Sequence, residues 1–276
     1  LRCIWTRRAG RTTKRSGRSQ AQQEILNLWE IVDIFYSTVG FGALKVRLSL
    51  HDPEHFEKYL GTKEMWTQSE AELRTIARQR NADVYESPGE AAFYGPKVDF
   101  IARDSIGRLW QVATIQLDIN MPERFDLTCI NEQGERERIV MVHAAIMGSL
   151  ERFLSIFIEH HAGLFPLWTA PVQIGIVPVA GAHHDYAQGL ERTLGNNRVR
   201  THFFHSTESL GKRIREGEKL KIPYLVVIGD SEVADQSVTV RNIKTKKQVT
   251  MPTSAFLDSV LSDINTRSLE CSVGAV

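Results

Sequence analysis

Residues 140–153 read Val-Met-Val-His-Ala-Ala-Ile-Met-Gly-Ser-Leu-Glu-Arg-Phe. The apolar spacing that starts here predicts one long helix over Val142–His161, with Ile146, Leu150, Phe153, Leu154, Phe157 and Ile158 facing inward. On such a helix Ala145, Ser149 and Arg152 share one face, at steps of four and three. The two small side chains leave room for a ligand. A guanidinium is planar and permanently charged, so Arg152 can stack on a purine and also meet a phosphate. From periodicity alone, a surface helix with an ordinary arginine is the favoured reading.

Two stretches upstream add polar groups to apolar surroundings. Phe93-Tyr94-Gly95-Pro96-Lys97 offers a phenol, a rigid turn and a cation, and leads directly into a strand. Val98–Ala102 and Leu109–Leu117 flank turn residues Asp104–Gly107, which predicts an antiparallel hairpin. Its second arm carries Gln111 and Gln116, two amides that need partners if buried. Five positions apart, they point to opposite faces of a regular strand. Either the strand is bulged between them, or only one reaches a common site.

Around these stretches the chain divides in two. Ile25, Leu28, Val32, Phe35 and Val39 predict a helix that opens at Gln20 and stops at Gly40. Lys45–Leu50 alternates as a strand, and Ser69–Arg80 reads as a helix with Leu73 and Ile76 inward. Two prolines in Phe165–Pro171 predict an extended linker. Beyond it, strands at Val172–Val179, Val199–Phe204 and Tyr224–Ile228 alternate with helices at Asp185–Leu194 and Ser209–Lys219. This predicts a small α/β domain with a largely parallel sheet. A strand at Ser237–Arg241 and a helix at Pro252–Ile264 close it, and 266–276 form a tail of no predicted type. The domains expected are thus 20–166 and 172–265, joined by 167–171.

Composition sets limits. Hydrophobic residues make up 42% and charged residues 24% of the 276, ordinary for a water-soluble chain. No apolar run approaches a membrane span, and no signal peptide is visible. The cysteines Cys3, Cys129 and Cys271 are odd in number and widely spaced, which fits a reducing cytoplasm. The net charge of +1 is uneven. Residues 1–19 hold seven Arg or Lys and no acid, so the remainder carries 27 bases against 33 acids. The basic segment has no apolar period and is expected to lack structure; it could also grip nucleic acid.

The order of residues in 140–153 resembles motif 3 of the class II aminoacyl-tRNA synthetases, and in detail that of the threonyl enzymes. Phe93–Lys97, Trp110–Asp118 and Pro122-Glu123-Arg124-Phe125 resemble the same family. The resemblance implies the C-terminal half of an antiparallel-sheet catalytic core, followed by an α/β anticodon-binding domain. It implies that Arg152 holds the adenine and γ-phosphate of a bent ATP and that Ser149 lines the same site. Tyr94 is then expected against the amino group of threonine, and Lys97 against the reacting phosphate or carboxylate. Gln111 and Gln116 are expected against the adenylate and the terminal ribose of the tRNA. His143 takes the place of one of three zinc ligands; the metal would bind the amino and hydroxyl groups of threonine and so reject valine. In the second domain Arg215, Glu232 and Arg241 fall on anticodon-reading positions, within a basic set that includes Lys212, Arg213, Lys219 and Lys221. Thr207 departs from the family, which commonly has asparagine there.

The activity implied is ligation of threonine to its tRNA, with ATP and Mg²⁺, by a zinc-containing cytoplasmic homodimer. Motif 1, motif 2 with its α-phosphate arginine, and the other two zinc ligands are not found in the sequence. The expectation is therefore a truncated chain of low activity without a stable zinc site. The alternatives are a non-catalytic tRNA-binding or regulatory paralogue and a related class II enzyme for proline, glycine or histidine, the latter opposed by His143 and the Tyr94–Lys97 element.

Overall fold

The computed structural model describes residues 2–4, 17–130 and 133–275, which divide into two compact units, Leu1–Phe157 and Ile158–Val276. The first is built on a six-stranded sheet in the order β1-β8-β5-β4-β2-β3. Its strands are β1 (Arg2–Ile4), β2 (Lys45–Leu50), β3 (Val84–Pro88), β4 (Lys97–Arg103), β5 (Leu109–Asp118) and β8 (Met141–Ala145). All neighbours run antiparallel except β2 and β3. A separate hairpin, β6 (Thr128–Ile130) with β7 (Arg136–Arg138), leads towards β8.

Alternation decides which face is the core. Val46 and Leu48 on β2, Val98 and Phe100 on β4, Ala113, Ile115 and Leu117 on β5, and Val142 and Ala144 on β8 are all buried. Two helices supply the matching apolar stripes. Helix α1 (Gly17–Thr38) buries Ile25, Leu28, Trp29, Val32 and Tyr36, and Trp29 meets Phe100 edge-on at 5.0 Å. Helix α2 (Lys63–Gln79) buries Trp66, Leu73 and Ile76. It starts six residues before the expected Ser69 because Thr62 caps it, accepting from the Met65 N–H at 3.3 Å.

Two expectations change in this unit. Val142–His161 is not one helix. Met141–Ala145 is a strand in the middle of the sheet, and α4 covers only Leu150–His160. Val142 and Ala144 satisfy a period of two against the sheet core, and Gly148, at φ +64°, turns the chain between strand and helix. Leu150, Leu154 and Ile158 are consequently exposed, while Ile156 and Phe157 are buried. The basic segment, expected to lack structure, carries β1 along β8, and its last residues belong to α1; the rest of it lies outside the described residues.

The second unit has a five-stranded sheet in the order β10-β9-β11-β12-β13. Strands β9 (Ile174–Pro178), β10 (Thr201–Phe203) and β11 (Tyr224–Ile228) are parallel, while β12 (Ser237–Asn242) and β13 (Gln248–Pro252) continue antiparallel. The sheet is therefore mixed: β12 runs antiparallel to β11, and β13, which is not among the expected strands, pairs with β12 as a hairpin. Helices α5 (His184–Asn196) and α8 (Thr253–Asn265) bury Leu190, Leu194, Phe256 and Val260 against one face. Helix α6 (Leu210–Lys219) covers part of the other through Leu210 and Ile214. The expected linker is not extended. Thr169 and Ala170 turn back to the Pro166 carbonyl at 3.0 Å, and Leu167 joins the core of the second unit.

The tail belongs to this unit too. Val273 is buried, its N–H donates to Tyr224 Oη at 2.9 Å, and its carbonyl accepts from Asn242 at 2.9 Å. Buried Asp263 accepts from the N–H and hydroxyl of Ser272 at 2.9 and 3.0 Å. Removal of residues 266–276 is expected to lower the stability of this unit by about 2–4 kcal/mol, from one lost apolar side chain and several hydrogen bonds. Urea unfolding of the shortened chain measures it; an unchanged midpoint would make the tail a mere appendage.

Candidate active site and anticodon-domain surface

The face of the first sheet opposite α1 and α2 is polar. Period-two alternation places Arg47 and Ser49 of β2, Lys97 and Asp99 of β4, Thr114, Gln116 and Asp118 of β5, and His143 of β8 on it. Across the strands Arg47 stands opposite Asp99, Ser49 opposite Lys97, Lys97 opposite Gln116, and Gln116 opposite His143. Of these residues the sequence singled out only Lys97, Gln116 and His143. The remainder carry a detectable signal, polar residues alternating with buried apolar ones, but only strand pairing gathers them.

Gln111 joins this face through a bulge. Phe100 pairs with Ala113 while Ile101 pairs with Gln111, so Val112 is the extra residue in β5. The extra residue reverses the alternation and turns Gln111 to the side of Thr114 and Gln116. Gln111 Nε2 accordingly lies 2.9 Å from Thr114 Oγ1. Of the two possibilities left open by the sequence, the bulge is the one found.

A single phenol holds the bulge. Tyr36 Oη, buried on α1, lies 2.9 Å from the carbonyl of Val112 and 2.9 Å from that of Ile146. Its one proton is shared between them. Burial holds the Tyr36 pKa far above the ordinary phenol range, so it remains a donor. Val112 sits beside Gln111, and Ile146 begins the turn towards Ser149 and Arg152.

Tyr94 and Gly95 close one end of the face. Tyr94 Oη donates to Gln116 Oε1 at 2.9 Å, and Gln116 Nε2 donates to the Gly95 carbonyl at 3.2 Å. A Cβ on Gly95 would stand 1.9 Å from the Leu117 carbonyl oxygen, so no other residue fits that approach. The Tyr94 ring meets the His143 imidazole at 5.7 Å, edge to face. His143 Nε2 lies 2.8 Å from Asp118 Oδ2, while Asp118 Oδ1 accepts from the N–H groups of Asn120 and Met121.

His143 therefore lies on a strand with Asp118 as neighbour, rather than at a helix start. Among the described residues no three His, Cys, Asp or Glu side chains converge. Cys129 is exposed on β6. A zinc site needs at least three protein ligands in most proteins, so the described donor set does not fit the ion. Ser149 and Arg152 also change setting. Ser149 caps α4, its Oγ accepting from the Arg152 N–H at 3.2 Å, and the Arg152 side chain is exposed. They are no longer aligned with Ala145 along one helix.

In the second unit, Thr239 and Arg241 lie two apart on β12 and so share a face. Glu232, on the short helix α7 (Asp230–Asp235), reaches Thr239: its carboxylate accepts from the Thr239 hydroxyl at 2.7 Å and from the Gly229 N–H at 2.8 Å. Burial pushes the Glu232 pKa up, but these hydrogen bonds outweigh it and hold the group below the usual range. Arg241 Nη2 lies 3.1 Å from Glu218 of α6, the helix that carries exposed Arg215. Glu232, Arg241 and Arg215 thus lie around one face of the β12–β13 hairpin and the adjacent helix. Arg213 does not belong to the surface set. It is buried and donates to the carbonyls of Pro178, Val179, Phe204 and Glu208, tying the ends of two parallel strands to α6.

Tyr36→Phe should cost about 1–3 kcal/mol, since it leaves two buried carbonyls short of a donor. Urea unfolding of the variant measures this, and a cost near zero would show that the bulge holds itself.

Comparisons with known proteins bear on the family and on the fold of both units. A family model described as "tRNA synthetase class II core domain (G, H, P, S and T)" matches residues 13–161, more than half of the chain. A second, described as "Anticodon binding domain", matches residues 173–263. The threonine–tRNA ligase of Prosthecochloris aestuarii is 45% identical over 249 residues, covering 90% of this chain and 38% of the relative. That of Chlorobaculum tepidum is 46% identical over 222 residues, covering 80% and 34%. Among solved structures, the RNA binding domain of threonyl-tRNA synthetase from Cryptosporidium parvum superposes with a TM-score of 0.80 at 31% identity, covering 92% of this chain and 62% of that one. The chain spans little more than a third of the length of these curated relatives. Among the described residues no helix is long and apolar enough to cross a membrane. A core-domain match over more than half its length, followed by an anticodon-domain match, places this chain in the class II aminoacyl-tRNA synthetase family, with threonine–tRNA ligases as its relatives.

Proposed function

We propose that the chain is part of a threonine–tRNA ligase: the C-terminal half of the catalytic domain together with the anticodon-binding domain. The observation that carries this reading is the polar sheet face, where the bulge at Val112 sets Gln111 beside Thr114 and on the same face as Gln116, Lys97 and His143. The parent reaction joins the threonine carboxylate to the α-phosphate of ATP, releases pyrophosphate, and then passes the threonyl group to a terminal ribose hydroxyl of the tRNA. Lys97 offers a cation to a phosphate or carboxylate. Tyr94 and Gln116 bond to each other and line the amino-acid end. Arg152, exposed at the start of α4, can stack on adenine and reach the γ-phosphate, with Ser149 beside it. Mg²⁺ would neutralise the phosphates. The described residues lack a three-ligand zinc set. A homodimer in the cytoplasm is the assembly and compartment that this reading carries with it.

In the second unit, Glu232 keeps its charge and has acceptor capacity beyond its two internal bonds. It can receive an exocyclic amino group, with Arg241 and Arg215 as donors nearby.

The sequence contains no motif 2 arginine, so the isolated chain is expected to form little adenylate. Loss of one preorganised charge contact typically lowers the rate by about 10²–10³-fold. Threonine-dependent ATP–pyrophosphate exchange with the purified chain tests this. Exchange at the rate of an intact synthetase would sink the claim of low activity, and exchange driven by proline, glycine or histidine would sink the choice of amino acid.

Binding of tRNA tests the second unit. Glu232→Ala should reduce discrimination between threonine tRNA and an anticodon-swapped version more than it reduces affinity, whereas Lys212→Ala should weaken both alike and flatten the salt dependence. Equal affinity of the unaltered chain for the two tRNAs would leave only a basic surface.

A further inference from the structure

Asp99 lies at the centre of the polar face, between Arg47 of β2 and Thr114 of β5. Its side chain is fully shielded from solvent. Oδ1 accepts from Gln111 Nε2 at 2.8 Å and from Thr114 Oγ1 at 2.6 Å. Oδ2 accepts from Arg47 Nη2 at 3.0 Å and from Ser49 Oγ at 2.7 Å, and Lys97 Nζ stands 3.4 Å from it. A carboxylate has about four lone-pair directions. These neighbours take them all, so Asp99 has no capacity left for a substrate or a metal. Any influence it has passes through the side chains bonded to it.

The orientation of Gln111 follows from charge. A carboxylate only accepts, so the amide must turn its NH₂ towards Asp99. A guanidinium only donates, so the amide oxygen must face Arg47, which it meets at 2.7 Å. The two constraints agree, and neither survives a flip of the amide. Both N–H groups of Gln111 are then committed, one to Asp99 and one to Thr114. Only its oxygen, with a second lone pair, can meet a ligand. Lys97 is constrained by the same carboxylate. Arg47 and Lys97 both stand against the one Asp99 carboxylate, with Glu90 of the rim 3.7 Å from Arg47 as a further acid.

We propose that Asp99 is a positioning residue: it holds the Lys97 ammonium in place for a ligand phosphate and sets the Gln111 amide so that it presents an acceptor to a ligand hydroxyl. This deepens the ligase reading above and rests on it.

The test uses the full chain with Asp99→Asn and Ser49→Ala. Ser49 is buried and removes one donor from Asp99 without being placed against any ligand. Two quantities are read in each. The first is the affinity for a non-hydrolysable threonyl-adenylate analogue by calorimetry. The second, which needs no ligand, is the rate at which acetic anhydride acylates Lys97, by mass spectrometry. Asp99→Asn should weaken the analogue by about tenfold or more, the scale of one charge-assisted hydrogen bond, and should raise Lys97 acylation several-fold. Ser49→Ala should move both in the same direction by less, which keeps the idea open to test if Asp99→Asn does not fold. A purely structural Asp99 would lower only the unfolding midpoint. Affinity and acylation at the unaltered chain's values in folded variants would overturn the proposal. If the unaltered chain ignores the analogue, the ligase reading fails for this chain, and the acylation rates still decide whether Asp99 holds Lys97.

Discussion

One extra residue in β5 underlies the arrangement of the candidate active site. Without the bulge at Val112, Gln111 would face the apolar layer formed by α1 and the sheet, and its amide would be buried without partners. With it, Gln111, Thr114, Gln116 and Asp118 form a continuous polar row along a single strand. The cost is a displaced backbone carbonyl, and the phenol of Tyr36 answers it. Because the same oxygen also reaches Ile146, the row on β5 and the turn towards Arg152 are held by one side chain from behind the sheet. Core packing and site geometry are thus one problem here. The helix that closes the apolar face also sets the polar one.

The second unit uses a buried charge for a similar purpose. Arg213 looked like part of a basic surface, because it lies among lysines and arginines on an amphipathic helix. It is instead turned inward onto four backbone carbonyls, three at the ends of the parallel strands and that of Glu208 just before α6. Its planar fork lets one side chain satisfy several acceptors that a lysine could not span. Its neighbours on the surface are largely occupied as well. Lys212 pairs with Glu208, Lys244 with Glu270, and both Arg241 and Lys246 with Glu218. Exposed pairs of this kind contribute little to stability. They can be exchanged for other ionic contacts at small cost.

The segment 140–153 shows how local pattern can mislead while motif order does not. Its apolar residues fit a helical period, yet the first half is a strand inside the sheet. Strand β8 is flanked on both sides, so Val142 and Ala144 bury against the core while His143 and Ala145 face the other way. A short buried strand and a helical turn have overlapping apolar signatures, and a glycine at positive φ separates them here. The change matters chemically. On a strand, His143 stands opposite Gln116 and beside Asp118, contacts that a helix start would not have allowed.

What the sequence by itself determined was the elements that have strong local signals: α1, the hairpin of β4 and β5, the alternating α/β order of the second unit, and the residue order of motif 3. It also presented the right dilemma at Gln111 and Gln116, because the two-residue period of a strand is a local property. The tertiary structure decided what depends on partners far along the chain. Arg47 and Asp99 are 52 positions apart, and Tyr36 and Ile146 are 110 apart, so their hydrogen bonds have no local trace. Whether Arg213 turned in or out, and whether the tail after Asn265 packed or trailed, rested on carbonyls and buried polar groups that other strands supply. Hydrogen bonding inside a folded chain is a matching of donors to acceptors in space, and a linear pattern shows only which of them are on offer.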